Sequence, residues 1–274
     1  MLAKTSPGGN GMNGSETTDT YSQNSYDAEW MPAIELIWGR GFIAPGGEDN
    51  VARIVKGIDL RGKRVLELGS GAGGGGIALA RHHGARVVGL EIEPTLVEYS
   101  RELVAAEGYS DRVEFRCTEP GPLPVEDASF DHFYSSGVIC HIDDKPAVFR
   151  DVLRLLKPGG MLLGYDWFFT EHNAATEAWM EITGEHMPVS NLQAYVDDMQ
   201  MAGFEAVSSE YVTDWYIARA ADELRKLEGP LFDEVAAVSS PEVRDNLIIE
   251  WRSLNEGLAT GAMQQGYFRG RKPD

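Results

Sequence analysis

The run Val65-Leu66-Glu67-Leu68-Gly69-Ser70-Gly71-Ala72-Gly73-Gly74 constrains this chain more than any other stretch. Branched and leucine residues ending in a carboxylate read as a buried strand. The glycines that follow, and then Ile77-Ala78-Leu79-Ala80-Arg81, read as a sharp turn into a helix. Glycine alone tolerates the backbone such a turn needs, and its missing Cβ lets the main chain approach a ligand closely. The Gly69-x-Gly71-x-x-Gly74 spacing by itself is shared with dinucleotide-binding proteins. Glu67 shifts the balance, because a carboxylate two residues before the first glycine would crowd a pyrophosphate with like charge.

Val87-Val88-Gly89-Leu90-Glu91 reads as the next strand, and Glu91 lies twenty residues beyond Gly71. An acid at that strand tip accepts hydrogen bonds from both hydroxyls of a ribose. A nucleoside that also carries an amino group and a sulfonium satisfies both acids, so S-adenosylmethionine is the expected cofactor. The alternative is a generic α/β protein with a glycine-rich turn and two solvated acids.

The 274 residues suffice for one large domain, and a hydrophobic content of 43% is ordinary for a globular chain. No apolar run approaches the roughly 20 residues of a membrane helix, and no secretory signal opens the chain. Cys117 and Cys140 both fall in expected core segments and are read as reduced packing residues, consistent with a cytoplasmic protein. The net charge of −19 repels nucleic acid and anionic membranes, which leaves a small-molecule partner; the oligomeric state stays open.

Residues 1–24, rich in Gly, Ser, Thr and Asn, are expected to be a disordered tail, with one domain over 25–274. A helix is expected over 27–38, followed by a turn at Pro45-Gly46-Gly47. Strands at 64–69, 86–91, 112–117, 131–136 and 160–166 alternate with helices at 74–83, 94–107, 145–156 and 191–202. That alternation implies a Rossmann-like α/β fold: seven strands, mostly parallel, with helices on both faces. Segments 204–212 and 264–271 would complete the sheet as an antiparallel pair, and 156–160 reads as a turn. Residues 168–189, aromatic and irregular, and 214–260, long and helical, would form a small helical cap on the acceptor side.

From about Tyr26 onward the chain resembles class I S-adenosylmethionine-dependent methyltransferases, and among them the phosphoethanolamine and sarcosine/dimethylglycine N-methyltransferases. The resemblance rests on Tyr26-Asp27, Ile34 to Gly47, the glycine loop, Phe133 to His141 and Gly266-Tyr267-Phe268. It implies that Ile43, Glu67, Gly69, Gly71, Glu91, Ile92, Glu119 and Ser136 line the cofactor. It implies too that Tyr26 closes over the active site and that His141 belongs to a catalytic Asp/His pair. Here the aspartate position is Gly137, and the segment from Thr183 to Val189 lacks the Arg and Tyr residues that hold a phosphate in that family. Phosphoethanolamine itself is therefore a poor candidate substrate.

The leading expectation is methyl transfer to a small molecule, with an amine nitrogen favoured by the resemblance. His141 is the candidate base; packing against the cofactor or capping the next helix is the alternative. Trp167, Glu171 and Trp215 are candidate acceptor contacts, with Trp167 facing the site and Phe169 packing. No residue set has metal-ligand spacing. Two further readings remain: an O- or C-methyltransferase acting on an apolar natural product, and a non-catalytic cofactor-binding protein, towards which Gly137 leans.

Overall fold

The computed structural model describes residues 30–274. The expected tail, residues 1–24, lies outside them, as do Tyr26 and the start of the expected first helix. Helices α1 (Trp30–Trp38) and α2 (Gly47–Ile54) precede β1 (Arg64–Leu68), α3 (Gly74–His83), β2 (Arg86–Glu91), α4 (Pro94–Ala106) and β3 (Val113–Cys117). Then come β4 (Phe130–Ser136), a single 3-10 turn at Ile139–His141, α5 (Lys145–Leu155), β5 (Leu156–Phe169), α6 (Ala174–Thr183), α7 (Leu192–Ala202) and β6 (Glu205–Tyr211). Helices α8 (Thr213–Leu227), α9 (Phe232–Val238) and α10 (Pro241–Ala259) and strand β7 (Met263–Arg271) complete the chain.

The seven strands form one sheet in the order β3-β2-β1-β4-β5-β7-β6. The first five are parallel, and β7 runs antiparallel between β5 and β6. The chain winds outward from β1 to β3 and then returns to place β4 on the other side of β1. The crevice beyond the carboxyl ends of β1 and β4 is the switch point at which such sheets bind ligands.

Strand alternation builds two cores. Val65, Val87, Tyr134 and Leu163 pack with α2, α3 and α4 on one face. Leu66, Val88, Phe133 and Leu162 pack with α5 and α7 on the other. A third cluster, built from α1, α8, α9 and α10 around Ile34, Leu247 and Trp251, forms a helical layer at the strand tips.

Several expectations need correction. The segment 168–189 is not irregular throughout: β5 runs on to Phe169, and α6 follows. Asn173 starts α6 by accepting from Ala175 and Thr176 N–H, both at 3.1 Å, while Thr176 Oγ1 accepts from Asn173 N–H at 2.8 Å. The turn expected at 156–160 is an excursion within β5: Leu156 pairs with Phe130, and the register then jumps so that Met161 meets His132. Helix α2 occupies residues read only as following a turn, with Glu48 and Asp49 in its first turn. The long helical segment 214–260 is three helices, broken near Gly229 and again at Ser240, whose hydroxyl accepts from Val243 N–H at 3.2 Å to start α10. Cys117 is exposed rather than packed; Cys140 is buried.

Candidate active site

The glycine loop between β1 and α3 is tied to the neighbouring strand tip, because Gly69 and Ser70 both donate to the Leu90 carbonyl, at 2.8 and 3.0 Å. Gly71 has φ 51°, and a Cβ there would come within 2.7 Å of Ile43 Cδ1. Ile43, half-buried on the link between α1 and α2, packs with Met31, Ala72 and Leu96 and so holds that link against the loop.

Glu91 is the best-held group of the site. Its Oε2 accepts from Gly71 N–H at 2.8 Å, and its Oε1 accepts from Ile92 at 2.8 Å and Glu93 at 3.1 Å. Three backbone donors therefore fix a carboxylate facing the loop, with lone pairs left to accept more. Beside it, Ile92 is 52% exposed, an apolar surface next to an anchored acid. Glu119, just past β3, is exposed.

Glu67 is not the open acidic tip the sequence reading makes of it. It is 3% exposed and lies beneath the first turn of α3, where a Cβ at Gly75 or Gly76 would strike its carboxylate. The glycine run thus makes room for the acid as well as for the turn. Burial, and next the charge of Glu91, push its carboxyl well above the usual carboxylate range, against the pull of the Gly76 N–H. Among the described residues its Oε2 has no hydrogen-bond partner.

On the other side of the crevice β4 ends at Ser136, which is half-buried. Gly137 follows with φ 72°, donates to the Tyr165 carbonyl at 2.9 Å, and borders open space. Asp166, at 0% exposure, organises the next turn: its Oδ2 accepts from Cys140 N–H at 2.8 Å and Tyr195 OH at 3.1 Å. Burial lifts the Asp166 carboxyl to about 6. Lys145 closes the turn by donating to the carbonyls of Cys140 and Ile142. This turn presents His141, which burial, and then the charge of Lys145, lower to about 4. At neutral pH His141 is therefore an uncharged imidazole.

The cap covers the crevice with rings. Trp167 stacks on Trp179 at 6.2 Å and meets Tyr216 edge-on at 5.2 Å, while Phe169 packs at 1% exposure. Trp215 packs against the same cluster, 6.3 Å from Tyr216; Arg53 lies over it at 4.6 Å and Arg219 at 5.8 Å, and it packs against Gly46. Glu171 is exposed and accepts from Asn173 Nδ2 at 3.3 Å, so it serves the loop before α6.

The sequence reading missed Trp179 and Glu250. Glu250 sits three residues after Leu247 and four before Leu254, both buried, so it falls on the inward stripe of α10. An acid inside an apolar helical stripe was the available signal.

A methyltransferase-domain family model matches residues 66–164. The phosphoethanolamine N-methyltransferase of Triticum aestivum is 31% identical over 248 residues, which cover 90% of this chain and 48% of that protein. Residues 66–164 are thus a methyltransferase domain. The chain spans about half the length of the curated relatives it matches. Haemonchus contortus phosphoethanolamine N-methyltransferase 2, solved with phosphomonomethylethanolamine and S-adenosylhomocysteine, has 25% identity and a TM-score of 0.86 over 93% of this chain and 60% of that chain. A putative sarcosine dimethylglycine methyltransferase from Galdieria sulphuraria shares the fold, with a TM-score of 0.71 at 22% identity over 88% of this chain and 95% of that one. As for membrane segments, among the described residues no helix is long and apolar enough to cross a bilayer.

Proposed function

We propose that this protein transfers a methyl group from S-adenosylmethionine to the amine nitrogen of a small molecule. The observation that carries the reading is the Glu91 carboxylate, fixed by three backbone N–H groups at the strand tip facing the glycine loop. A preset acceptor of that kind suits a ribose diol. Glu67, buried with an oxygen lacking a partner among the described residues, suits a ligand that brings positive charge over the loop. Ile43 and the exposed Ile92 supply apolar surface, Glu119 an acceptor for an amino group, Gly69 and Gly71 close backbone approach, and Ser136 the opposite rim. Tyr26 would close over the site from the segment preceding α1. The names of the relatives support the amine acceptor.

When bound, the sulfonium supplies an electrophilic methyl group open to in-line displacement. What the chain contributes is alignment and the exclusion of water. Trp167, Trp179 and Tyr216 wall the acceptor side, and the Asp166-anchored turn holds His141 in place. A neutral imidazole accepts a hydrogen bond or proton from the acceptor nitrogen at a ring nitrogen, although a pKa near 4 makes it a weak base.

The test is calorimetric binding of S-adenosylhomocysteine, followed by transfer of labelled methyl groups to a panel of amines. Binding of a dinucleotide in place of the donor, or donor binding without turnover, would overturn the proposal. The aromatic wall favours a second reading, an apolar acceptor methylated at carbon or oxygen. Turnover of such acceptors but of no amine would select it.

A further inference from the structure

One carboxylate connects the glycine loop to helices on either side of it. Glu35, half-buried on α1, accepts at a single oxygen, Oε1, from Gly41 N–H at 2.7 Å and from the Tyr99 hydroxyl at 2.5 Å. Tyr99 lies on α4, and Gly41 on the link between α1 and α2. The Gly41 carbonyl accepts in turn from the N–H of Gly74, the first residue of α3, at 2.8 Å. Hydrogen bonds thus run from Tyr99 through Glu35 and Gly41 to the last glycine of the loop. Two residues beyond Gly41, Ile43 meets the loop again, where it lies against Gly71.

The link has the loop on one side and open volume on the other. Gly41 has φ 79°, and a Cβ there would come within 2.6 Å of Leu103 Cδ2 and 3.0 Å of Gly74 N, so the two backbones touch directly. Gly39 and Arg40 are exposed. Next to them a cavity of about 370 Å³ is lined by Trp38, Phe42, Gly46, Gly74, Ile77 and Leu103. A segment with space beside it depends on its hydrogen bonds to stay in place. Burial, and next the bond to Glu35, push the Tyr99 hydroxyl up to about 12, so it keeps the proton it donates. The far face of α1 is tied to the helical layer: Ile34 and Ile37 pack with Leu247 and Trp251, and Trp38 Nε1 donates to Glu223 at 3.0 Å.

We infer that Glu35 is a positioning residue for methyl transfer, holding the α1–α2 link, and Ile43 with it, against the glycine loop in the arrangement that receives the donor. This deepens the methyltransferase reading and rests on it. Glu35 acts through the Gly41 N–H rather than on the reacting atoms. What the link needs from it is an acceptor oxygen aimed by Tyr99. Its negative charge is not required. Without that oxygen, Gly41 N–H and the Tyr99 hydroxyl lose their common acceptor, and the link is free to move into the cavity.

The experiment is calorimetry of the full chain with S-adenosylhomocysteine. Glu35→Leu should weaken binding about tenfold, whereas Glu35→Gln, whose amide oxygen still accepts, should stay within about threefold of the parent. Tyr99→Phe should weaken it about threefold, and cost nothing further when combined with Glu35→Leu, since the two side chains act as one unit. In transfer of labelled methyl groups, the Glu35→Leu loss should appear in the KM for S-adenosylmethionine rather than in kcat. Gly41→Ala reaches the same link with Glu35 intact and should weaken S-adenosylhomocysteine about tenfold, because its Cβ has no room. Thermal melts establish which variants are folded. Parent affinity in folded Glu35→Leu or Gly41→Ala would overturn the inference, and so would a glutamine variant as weak as the leucine one. Failure of the parent protein to bind S-adenosylhomocysteine would instead take down the methyltransferase reading beneath it.

Discussion

The donor side and the acceptor side of this crevice both present acids, and they hold them in opposite ways. Glu91 is pinned by three backbone donors in the free protein, so its position is set by the loop itself. Burial lifts Glu185 to about 7, and burial, then the charge of Glu185, lifts Glu250 to about 8. A carboxylate answered by the backbone is a preformed half of a hydrogen bond.

The largest effect expected from breaking this contrast is on the donor side. Glu91→Ala should weaken S-adenosylhomocysteine by about 10- to 100-fold, the equivalent of about 1–3 kcal/mol for a lost buried acceptor; unchanged affinity by calorimetry would remove Glu91 from the site. His141→Ala should lower kcat about tenfold or more while donor affinity holds. Equal losses in both would make His141 a packing residue.

A pH series sharpens the acceptor side. Glu185 and Glu250 are protonated at pH 6 and ionised by pH 9. Cys140 and Tyr216 are pushed upward by burial and stay neutral there.

The smallest effect is on stability without ligand. An acid whose folded pKa is raised binds its proton more tightly folded than unfolded, so the stability it contributes near pH 4 is lost as the pH climbs through its folded value. The double variant, Glu185→Gln with Glu250→Gln, should therefore melt about 2–4 °C above the parent at pH 9 and level with it at pH 4. A lower melting temperature at pH 9 would mean that these acids have structural partners.

Much of the sheet was legible because its signals are local. The alternation that buries Val65 and Val87 on one face and Leu66 and Val88 on the other is written in consecutive residues. The glycine loop and the Glu91 tip follow from the same stretch. The cap was read less well. Helix α6 begins at Asn173, whose capping partner three residues on is Thr176, a spacing available in the chain but overshadowed by the aromatics before it. Trp215 and Tyr216 are adjacent, and nothing in their order decides that Tyr216 is fully buried while Arg53 and Arg219 lie over Trp215; the packing of α8 against α10 and β7 does.

The sequence alone determined the order of strands and helices, the loop that turns β1 into α3, and the acid twenty residues on, since each depends on neighbours within one element. The folded chain alone decided that Glu67 lies beneath the loop and that Glu250 falls on the inward stripe of α10. Burial and unpaired charge are properties of what surrounds a side chain, and for these acids the surroundings come from segments far apart in the chain.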